Sequence, residues 1–355
     1  MSTPVFSEGH SFPSTLSRLA RFWKKRVMER PRNLSQVIRA LPTLVIHCLL
    51  QQRSIVYIIR GGGIGDIVCL FPSIGALKRR HPGSLIVFGT WYDSLSLARR
   101  CPGVDLAIEE ESLLARLVQI LEPALTLRPS LIDERDPPLG ERIHLIDDFG
   151  RSLGLSFSGS EAPQLTVSFL ARRKIQKRIR QENLSGKMLV VIHAGPTWRV
   201  REWPLERWAE LVSRLKSEIQ GIAVVQIGVH RTSGREDRLS SIVPGAENWI
   251  GTLELDQVIE LLRITQLFIG IDSGILHLAG AVGTPSVGIF GPVDPNCRLS
   301  RKTRALGVTA DLPCLGCHHE PDGPRHWRDG CPNDIRCMSE ISSDQVFSAC
   351  EQILR

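Results

Sequence analysis

The 355-residue sequence lacks any run of about 18 uncharged apolar residues, so no ordinary membrane-spanning helix is predicted. Its best early apolar stretch, Leu41 to Leu50, is too short and is interrupted by His47. No clean apolar segment with a small-residue cleavage site follows the basic residues around Lys24, so no secretory signal peptide is predicted. These absences favour a cytoplasmic protein.

The length predicts two domains, because a typical domain has about 150 residues. Hydrophobic residues make up 42% of the chain and charged residues 23%, so it can bury sizeable cores. The net charge of +7 favours an anionic partner, whether a phosphorylated substrate, a membrane surface or nucleic acid. Nucleic acid is not expected, because the basic stretches lack interleaved aromatic residues and any recognisable binding module.

Residues 1–53 predict a basic helical extension. Apolar residues recur at helical spacing in two stripes, Leu16–Val27 and Leu34–Cys48, with a break at Pro31. Basic residues crowd the polar faces against a single acid, Glu29. Such amphipathic helices either contact an anionic membrane surface or pack on the next domain with their charges solvated.

The rest of the chain alternates strand and helix patterns, which is typical of parallel sheets joined by helical crossovers. In the first half, strands are predicted at Ser54–Ile59, Leu85–Gly89, Asp105–Ile108 and Ile143–Ile146. In the second half, strands are predicted at Met188–His193, Ile222–Ile227, Leu267–Ile271 and Ser286–Phe290, the last clear strand. Predicted helices there are about Pro204–Ser217, Leu255–Arg263 and Ser273–Val282.

Both halves are therefore predicted to be doubly wound α/β domains. We expect a first domain over residues 54–168, a very basic linker helix over 169–186 and a second domain over 187–341. A last helix is expected within residues 342–355.

A glycine-rich loop, Gly61 to Asp66, follows the first predicted strand and precedes a helix. Ligands of open α/β sheets bind at the carboxyl ends of strands, so this loop is a candidate site. It is not a dinucleotide fingerprint, because Asp66 stands where glycine is needed and no acid ends the second strand. Asp66 is either a partner of the helix dipole or a cleft carboxylate that removes a proton from an acceptor hydroxyl. In the second case Gly63 and Gly65 let the substrate approach.

In the most informative motif of the second half, a predicted strand ends in Asp272-Ser273-Gly274 and a helix starts there. The N–H groups of a helix start hold a phosphate or diphosphate well. His277 lies one turn along, and is either a buried, satisfied histidine or a hydrogen-bond donor to phosphate.

A second loop, from His193 to Trp198, also follows a predicted strand and contains Thr197. Arg201 comes just before the next helix. Its guanidinium group either reaches phosphate oxygens or is solvated at the surface.

Four of the nine cysteines form a cluster at Cys314, Cys317, Cys331 and Cys337. Paired thiolates at this spacing can close a tetrahedral structural metal site, with zinc as the default and iron also compatible with four thiolates. Disulfides and free thiols are the alternatives. Additional candidate ligands are His318, His319 and His326.

Together these motifs resemble glycosyltransferase family 9, the heptosyltransferases of lipopolysaccharide core synthesis. The matching segments are Gly65-Asp66, Arg201 to Pro204, Asp272 to Ala281, Gly283 to Pro285, and Gly291 to Pro295. Arg201 stands where the family often has lysine, and Val293 where it has threonine. The resemblance covers about residues 54–355, so the basic extension is outside it.

The resemblance implies a GT-B fold, with the acceptor bound to the first of two Rossmann-like domains and the nucleotide sugar to the second. It implies inverting, metal-independent transfer of heptose from ADP-heptose to a lipopolysaccharide core, with Asp66 as the base and Arg201 stabilising the leaving diphosphate. The donor-binding residues that it implies are Thr197, Asp272, Ser273, Gly274, His277 and Gly291.

Several alternatives stay open beside this interpretation. They are a different nucleotide sugar, a protein acceptor, and a non-catalytic relative that only binds a nucleotide. Some related glycosyltransferases hold a metal through cysteines, which favours a structural site here. A lipid-linked acceptor would place the protein at the inner face of the cytoplasmic membrane.

Overall fold

The computed structural model describes residues 38, 40–44, 46, 53–132, 134, 142–229, 240–320 and 330–355. Two parallel sheets organise these residues into two α/β domains. The strands of the first sheet are β1 (Ile55–Ile59), β2 (Leu85–Thr90), β3 (Leu106–Glu109) and β4 (Leu125–Leu127). Its helices are α1 (Ile64–Arg80), α2 (Leu95–Ala98), α3 (Leu113–Ile120) and α4 (Leu145–Ser152). The strand order is β3-β2-β1-β4.

A basic helix, α5 (Phe169–Gln181), leads into the second sheet. The strands of that sheet are β5 (Met188–His193), β6 (Ile222–Gln226), β7 (Glu247–Asn248), β8 (Leu267–Ile271), β9 (Ser286–Ile289) and β10 (Ala305–Val308). Its helices are α6 (Leu205–Glu218), α7 (Leu255–Arg263), α8 (Gly274–Val282), α9 (Arg336–Ser339) and α10 (Ser343–Leu354). The strand order is β10-β9-β8-β5-β6-β7.

Continuous apolar runs explain the central strands. Every residue of β1 and of β8 is buried, as expected for parallel strands covered by helices on both faces. Helices α5, α7 and α8 share a core with the first domain, whereas α6 and α10 pack on the opposite face of the second sheet. Within the described ranges, no helix is both long and apolar enough to cross a bilayer.

The prediction of a strand at Ile143–Ile146 is wrong. His144 instead caps helix α4, because its Nδ1 accepts a hydrogen bond from the Ile146 N–H at 3.2 Å. A short apolar run does not by itself distinguish a strand from a helix start. The fourth strand is β4, and β10 extends the second sheet beyond the strand that the sequence indicated as the last.

Most of the predicted N-terminal helices lie outside the described residues. Ala40 and Leu44 are 4% and 3% exposed and pack against the core that β1, β2 and α3 share. Ile38 and Leu41, from the second predicted stripe, are 60% and 42% exposed. The described part of this segment therefore packs on the first domain while some of its apolar stripe faces outward.

The two domains meet at the first turns of α1 and α8. A Cβ atom added to Gly274 would lie 2.7 Å from the Ile64 Cβ and 2.9 Å from the Gly65 backbone nitrogen. A Cβ added to Gly65 would lie 2.8 Å from the His277 ring. Because real Cβ atoms do not approach so closely, only glycine allows the two helix starts to touch in this way.

Charged side chains also connect the domains. Arg301 pairs with Asp147 through an Nη1–Oδ1 contact of 2.9 Å, and Arg100 with Asp256 through an Nε–Oδ1 contact of 2.9 Å. Arg142 donates to Asp294 at 3.0 Å and to the Leu315 carbonyl at 3.3 Å.

Two buried, neutral histidines also form hydrogen bonds between the domains. Because His144 Nδ1 is an acceptor, its Nε2–H donates to the Leu299 carbonyl at 3.0 Å. His319 Nε2 accepts from the Asp294 N–H at 3.2 Å, so its Nδ1–H donates to the Glu134 carbonyl at 3.0 Å. Burial lowers the pKa of each histidine to about 4.

These shifts predict an acid-sensitive fold. In the unfolded chain both histidines have a pKa of 6.5. As the pH falls, the unfolded state therefore binds protons at these histidines before the folded state does. Above pH 6.5 these histidines should therefore not lower the free energy of unfolding. Between pH 6.5 and pH 4 the free energy of unfolding should fall. The decline is at most about 1.4 kcal/mol per pH unit for each histidine.

The variant His144→Asn tests this, because asparagine can still cap α4 but does not titrate. Denaturant unfolding between pH 7 and pH 4 should give a shallower decline for this variant than for the wild type. His81→Asn, whose histidine is only half-buried, is the control and should follow the wild type. Equal slopes for His144→Asn and wild type would contradict the assignment.

Candidate active site

Asp66 lies in the first turn of α1, where it accepts a hydrogen bond from the Gly63 N–H at 3.3 Å. Its Oδ2 is 4.0 Å from the Arg60 Nη2, and its side chain is 31% exposed. Burial raises the pKa of Asp66 above its ordinary value, although Arg60 opposes the shift. A carboxylate with a raised pKa is a better base at neutral pH than an ordinary one.

The glycine loop beside Asp66 is covered on one side and open on the other. Gly61 lies under the Trp91 indole, because an added Cβ would be 1.9 Å from the Trp91 Nε1. A Cβ at Gly63 would meet nothing within 4 Å, so there is free space next to Asp66. Trp91 itself is 54% exposed. There is therefore free space on this side of the loop, and the contact of Gly63 with an acceptor stays a prediction.

Arg201 forms an ion pair with Asp272, the residue that follows β8. Its Nη1 lies 3.1 Å from the Asp272 Oδ2, and its guanidinium group stacks 4.1 Å from the centre of a Trp198 ring. Burial alone would raise the pKa of Asp272, but Arg201 holds it below its ordinary value. The alternative of a solvated surface arginine is wrong, because the Arg201 side chain is only 14% exposed.

Helix α8 begins at Gly274, and no side chain caps its first turn. The Ser273 Oγ lies 3.3 Å from the His193 Nδ1. The His277 ring lies between α8 and α1, with its Nδ1 3.4 Å from the Cys69 Sγ. Burial lowers the pKa of His277 to about 4, so it is neutral. This position favours the interpretation of His277 as a buried histidine, and its contact with the donor stays a prediction.

Arg298 and Glu134 form a buried ion pair that the sequence analysis did not predict. Arg298 is 5% exposed, and its Nη2 donates to the Glu134 carboxylate, which also contacts the His318 Nε2 at 3.3 Å. Burial opposes ionisation of Glu134, but His318 and Arg298 hold its pKa well below its usual range. The charge of Arg298 also acts on Asp66 and Asp272. The charge of one buried cation is therefore felt in both halves of the site.

The other predicted donor residues lie in two places. Thr197 donates its backbone N–H to the Glu202 Oε1 at 3.0 Å within the loop that follows β5. Gly291 lies against the cysteine cluster, because an added Cβ would be 2.7 Å from both the Cys337 Sγ and the Met338 Sδ. Its donor role stays a prediction, and packing already accounts for the glycine.

The second domain also contains a cavity of about 410 Å³, which we call the Trp203 cavity. Its lining includes Gly195, Arg199, Trp203, Ser241, Asp334 and Met338. Because Asp272 and the start of α8 are not part of this lining, the Trp203 cavity is a separate space on the second domain.

All four clustered cysteines line a single cavity of about 100 Å³. Burial and the neighbouring thiols raise the pKa of Cys317 to about 11 and of Cys337 to about 12. The Asn333 N–H points to the Cys331 Sγ at 3.4 Å. In the part of the chain that the structure describes, no three metal-ligand side chains are already arranged around a metal position. Four thiols around one small space fit a tetrahedral metal, provided that they move closer together on binding.

Two of the histidines considered as extra ligands, His318 and His319, contact Glu134 of the first domain and the Asp294 backbone instead. His326 lies outside the described residues.

Comparison with solved structures supports the fold. The chain superposes on the iron-containing dodecameric glycosyltransferase TibC of enterotoxigenic Escherichia coli with a TM-score of 0.66 at 22% identity, covering 85% of this chain and 78% of that one. It superposes on the E. coli ADP-heptose lipopolysaccharide heptosyltransferase II with a TM-score of 0.61 at 18% identity, covering 85% and 98%. The fold is therefore GT-B, as the resemblance implied.

Curated relatives match over shorter segments. Lipopolysaccharide heptosyltransferase 1 of Pseudomonas aeruginosa is 26% identical over 131 residues, which are 36% of each chain. The autotransporter heptosyltransferase Aah of E. coli is 31% identical over 169 residues, 47% of this chain and 39% of that one. The chain thus spans between about a quarter and a half of the length of the curated relatives it matches.

The family model described as glycosyltransferase family 9 (heptosyltransferase) matches residues 150–327, which is half of the chain. This segment includes Arg201, the start of α8 and the Gly291 to Pro295 motif. The chain therefore belongs to glycosyltransferase family 9.

Proposed function

We propose that the protein is an inverting, metal-independent glycosyltransferase that moves heptose from ADP-heptose onto a hydroxyl of a lipopolysaccharide core or a similar glycan. One observation carries this proposal: the Asp66 carboxylate lies at the start of α1, where α1 touches the start of α8. A base from the acceptor domain is thus next to the helix start that suits a donor diphosphate.

The proposed reaction is a direct displacement. Asp66 takes the proton of the acceptor hydroxyl while that oxygen forms a bond to the anomeric carbon of the donor sugar. The bond from this carbon to the diphosphate oxygen breaks with its electron pair, and ADP leaves. The start of α8, Arg201 and Arg298 supply the positive potential that stabilises the growing charge on the diphosphate.

The variant Asp66→Asn should reduce kcat by at least a thousandfold, because an amide does not accept the hydroxyl proton. Donor binding should be unchanged, since Asp66 belongs to the acceptor domain. Turnover is measured as ADP release, and donor affinity by calorimetry. Glu111→Gln, an exposed acid of the same domain, is the control and should keep wild-type turnover. Near-normal turnover of Asp66→Asn would remove the role of Asp66, whereas nucleotide binding without turnover by the wild type would favour a non-catalytic relative.

The variant Arg201→Ala should weaken ADP binding by roughly tenfold or more, because it removes a cation and leaves the Asp272 carboxylate to repel the diphosphate. The loss should be larger at low salt, where charges are least screened. Calorimetry with ADP measures both effects. Arg207→Ala on α6, which pairs only with a neighbouring turn of its own helix among the described residues, is the control. Equal ADP affinities of Arg201→Ala and wild type at low salt would count against the assignment.

A protein acceptor is the second candidate, and the similarity to autotransporter heptosyltransferases favours it. The two candidates need the same base and the same donor site. They differ in the acceptor, so offering the protein a lipopolysaccharide core or an autotransporter polypeptide, each with the donor, shows which of the two gains the sugar.

We also propose that Cys314, Cys317, Cys331 and Cys337 hold one structural zinc or iron ion. The four thiols surround one small cavity, and TibC, whose fold this chain shares, is described as iron-containing. The bound ion would cross-link the segment that carries Cys314 and Cys317 to the segment before α9. It would take no part in the transfer.

Elemental analysis of protein purified without exposure to air should find about one metal ion per chain. Cys314→Ser and Cys331→Ser, one from each pair, should each lose the metal and lower the melting temperature. Cys101→Ser removes a buried cysteine outside the cluster and should keep the metal. Wild-type protein without metal, or serine variants that retain it, would overturn this proposal.

The predicted membrane contact of residues 13–50 is a further part of the proposal, as is a location at the inner face of the cytoplasmic membrane. The exposure of Ile38 and Leu41 supports it. Full-length protein should bind anionic vesicles more strongly than a chain that starts at Ser54, and equal binding would show that the extension is not an anchor.

A further inference from the structure

The helix α5 is unusually basic and has a clear inner face. Its thirteen residues contain six basic residues and no acid. Ala171 and Ile175 are 4% and 1% exposed and pack into the core beside α7. Arg178 is also held inward, because its guanidinium group lies 3.9 Å from the centre of the Trp249 ring and its Nε donates to Glu182.

Five basic residues remain on the outer face of α5. All five are exposed, and none forms an ion pair with another described residue: Arg172, Arg173, Lys174, Lys177 and Arg180. Phe169, Arg173, Lys177 and Arg180 recur at spacings of four, four and three residues, so they lie along one stripe of the helix. The outer face is thus a line of cations that begins with an aromatic side chain.

Large apolar side chains are exposed where this stripe begins. Val167 is 50% exposed, Phe169 68% and Leu170 70%. The Arg173 guanidinium group lies 5.4 Å from the centre of the Phe169 ring. Exposed apolar side chains next to cations are typical of helices that lie in the boundary between lipid headgroups and acyl chains. Exposure of these large apolar side chains to water is unfavourable, so a lipid surface would explain their position better.

We propose that this outer face, the α5 patch, docks on an anionic phospholipid bilayer. Phe169 and Leu170 enter the headgroup boundary, and the basic residues contact lipid phosphates. The long aliphatic stems of arginine and lysine let their charged ends stay in the headgroup layer while the helix lies flat. A nucleic acid fits less well, because it would meet the cations but leave Leu170 and Val167 exposed to water.

The proposal requires neither the heptose donor nor a particular acceptor. It also depends on other residues than the proposed contact of residues 13–50. If both surfaces bind lipid, removing one should weaken binding and removing both should abolish it.

Vesicle co-sedimentation of the full-length protein tests the α5 patch. The vesicles contain phosphatidylethanolamine with phosphatidylglycerol, or phosphatidylcholine alone, in physiological salt. Two variants probe the two kinds of contact, R173Q/K177Q and F169S/L170S. The charge control is R207Q/K216Q, which makes the same charge change on α6 at the opposite face of the second sheet. The apolar control is I242S, which replaces another exposed apolar residue.

We expect R173Q/K177Q to weaken partitioning onto phosphatidylglycerol vesicles by roughly tenfold or more, since each surface cation contributes to binding. F169S/L170S should weaken it as well, with melting temperatures unchanged because the substituted residues are exposed. Both controls should bind like the wild type, and phosphatidylcholine should bind all variants weakly. Wild-type binding by both α5 variants overturns the proposal. It is also overturned if R173Q/K177Q loses binding to duplex DNA while its vesicle binding is unchanged.

Discussion

The first turns of α1 and α8 meet backbone against backbone, because Gly65 and Gly274 leave no side chain between them. Both helix starts carry partial positive charge, so their contact is unfavourable unless negative groups lie close by. Asp66 stands in the first turn of one helix and Asp272 directly before the other. The same potential suits the diphosphate of a nucleotide sugar, so one contact between glycines brings the proposed base next to the proposed donor site.

Charges around this contact are closely balanced. Asp66, Asp272 and Glu134 face Arg60, Arg201 and Arg298, and most of them are largely buried. Buried ion pairs add little net stability, because the loss of hydration offsets the attraction between the charges. Removing one partner is strongly destabilising, however, because it leaves the other charge buried without a counter-charge. Such pairs therefore hold the two side chains in one arrangement. The pair of Arg298 and Glu134 is one of the contacts that join the two domains, and the charge of Arg298 acts on both Asp66 and Asp272.

The cysteine cluster is connected to the same pair. His318 follows Cys317 directly and contacts the Glu134 carboxylate. Arg142 of the first domain donates to the Leu315 carbonyl, within the turn between the first two cysteines. A metal ion in the cluster would therefore rigidify a turn that the first domain also contacts through Arg142.

Local patterns were enough to predict much of the fold. The bounds of β5, α7 and β8 follow from continuous apolar runs and from helical periodicity. The strand prediction for Ile143–Ile146 failed because three apolar residues around a histidine suit either a strand or a capped helix start. Asp66 and Arg201 could be found because each follows a strand within a recognisable motif. Glu134 and Arg298 could not, since their pairing joins residues 164 positions apart and no local pattern marks either one.

A structure of the full-length protein with ADP-heptose or an unreactive analogue tests the central claim most directly. The account predicts the diphosphate at the start of α8, within hydrogen-bond reach of Ser273, Gly274 and Arg201. The anomeric carbon should face Asp66 across the contact between α1 and α8. A diphosphate bound in the Trp203 cavity, or an anomeric carbon turned away from Asp66, would contradict it.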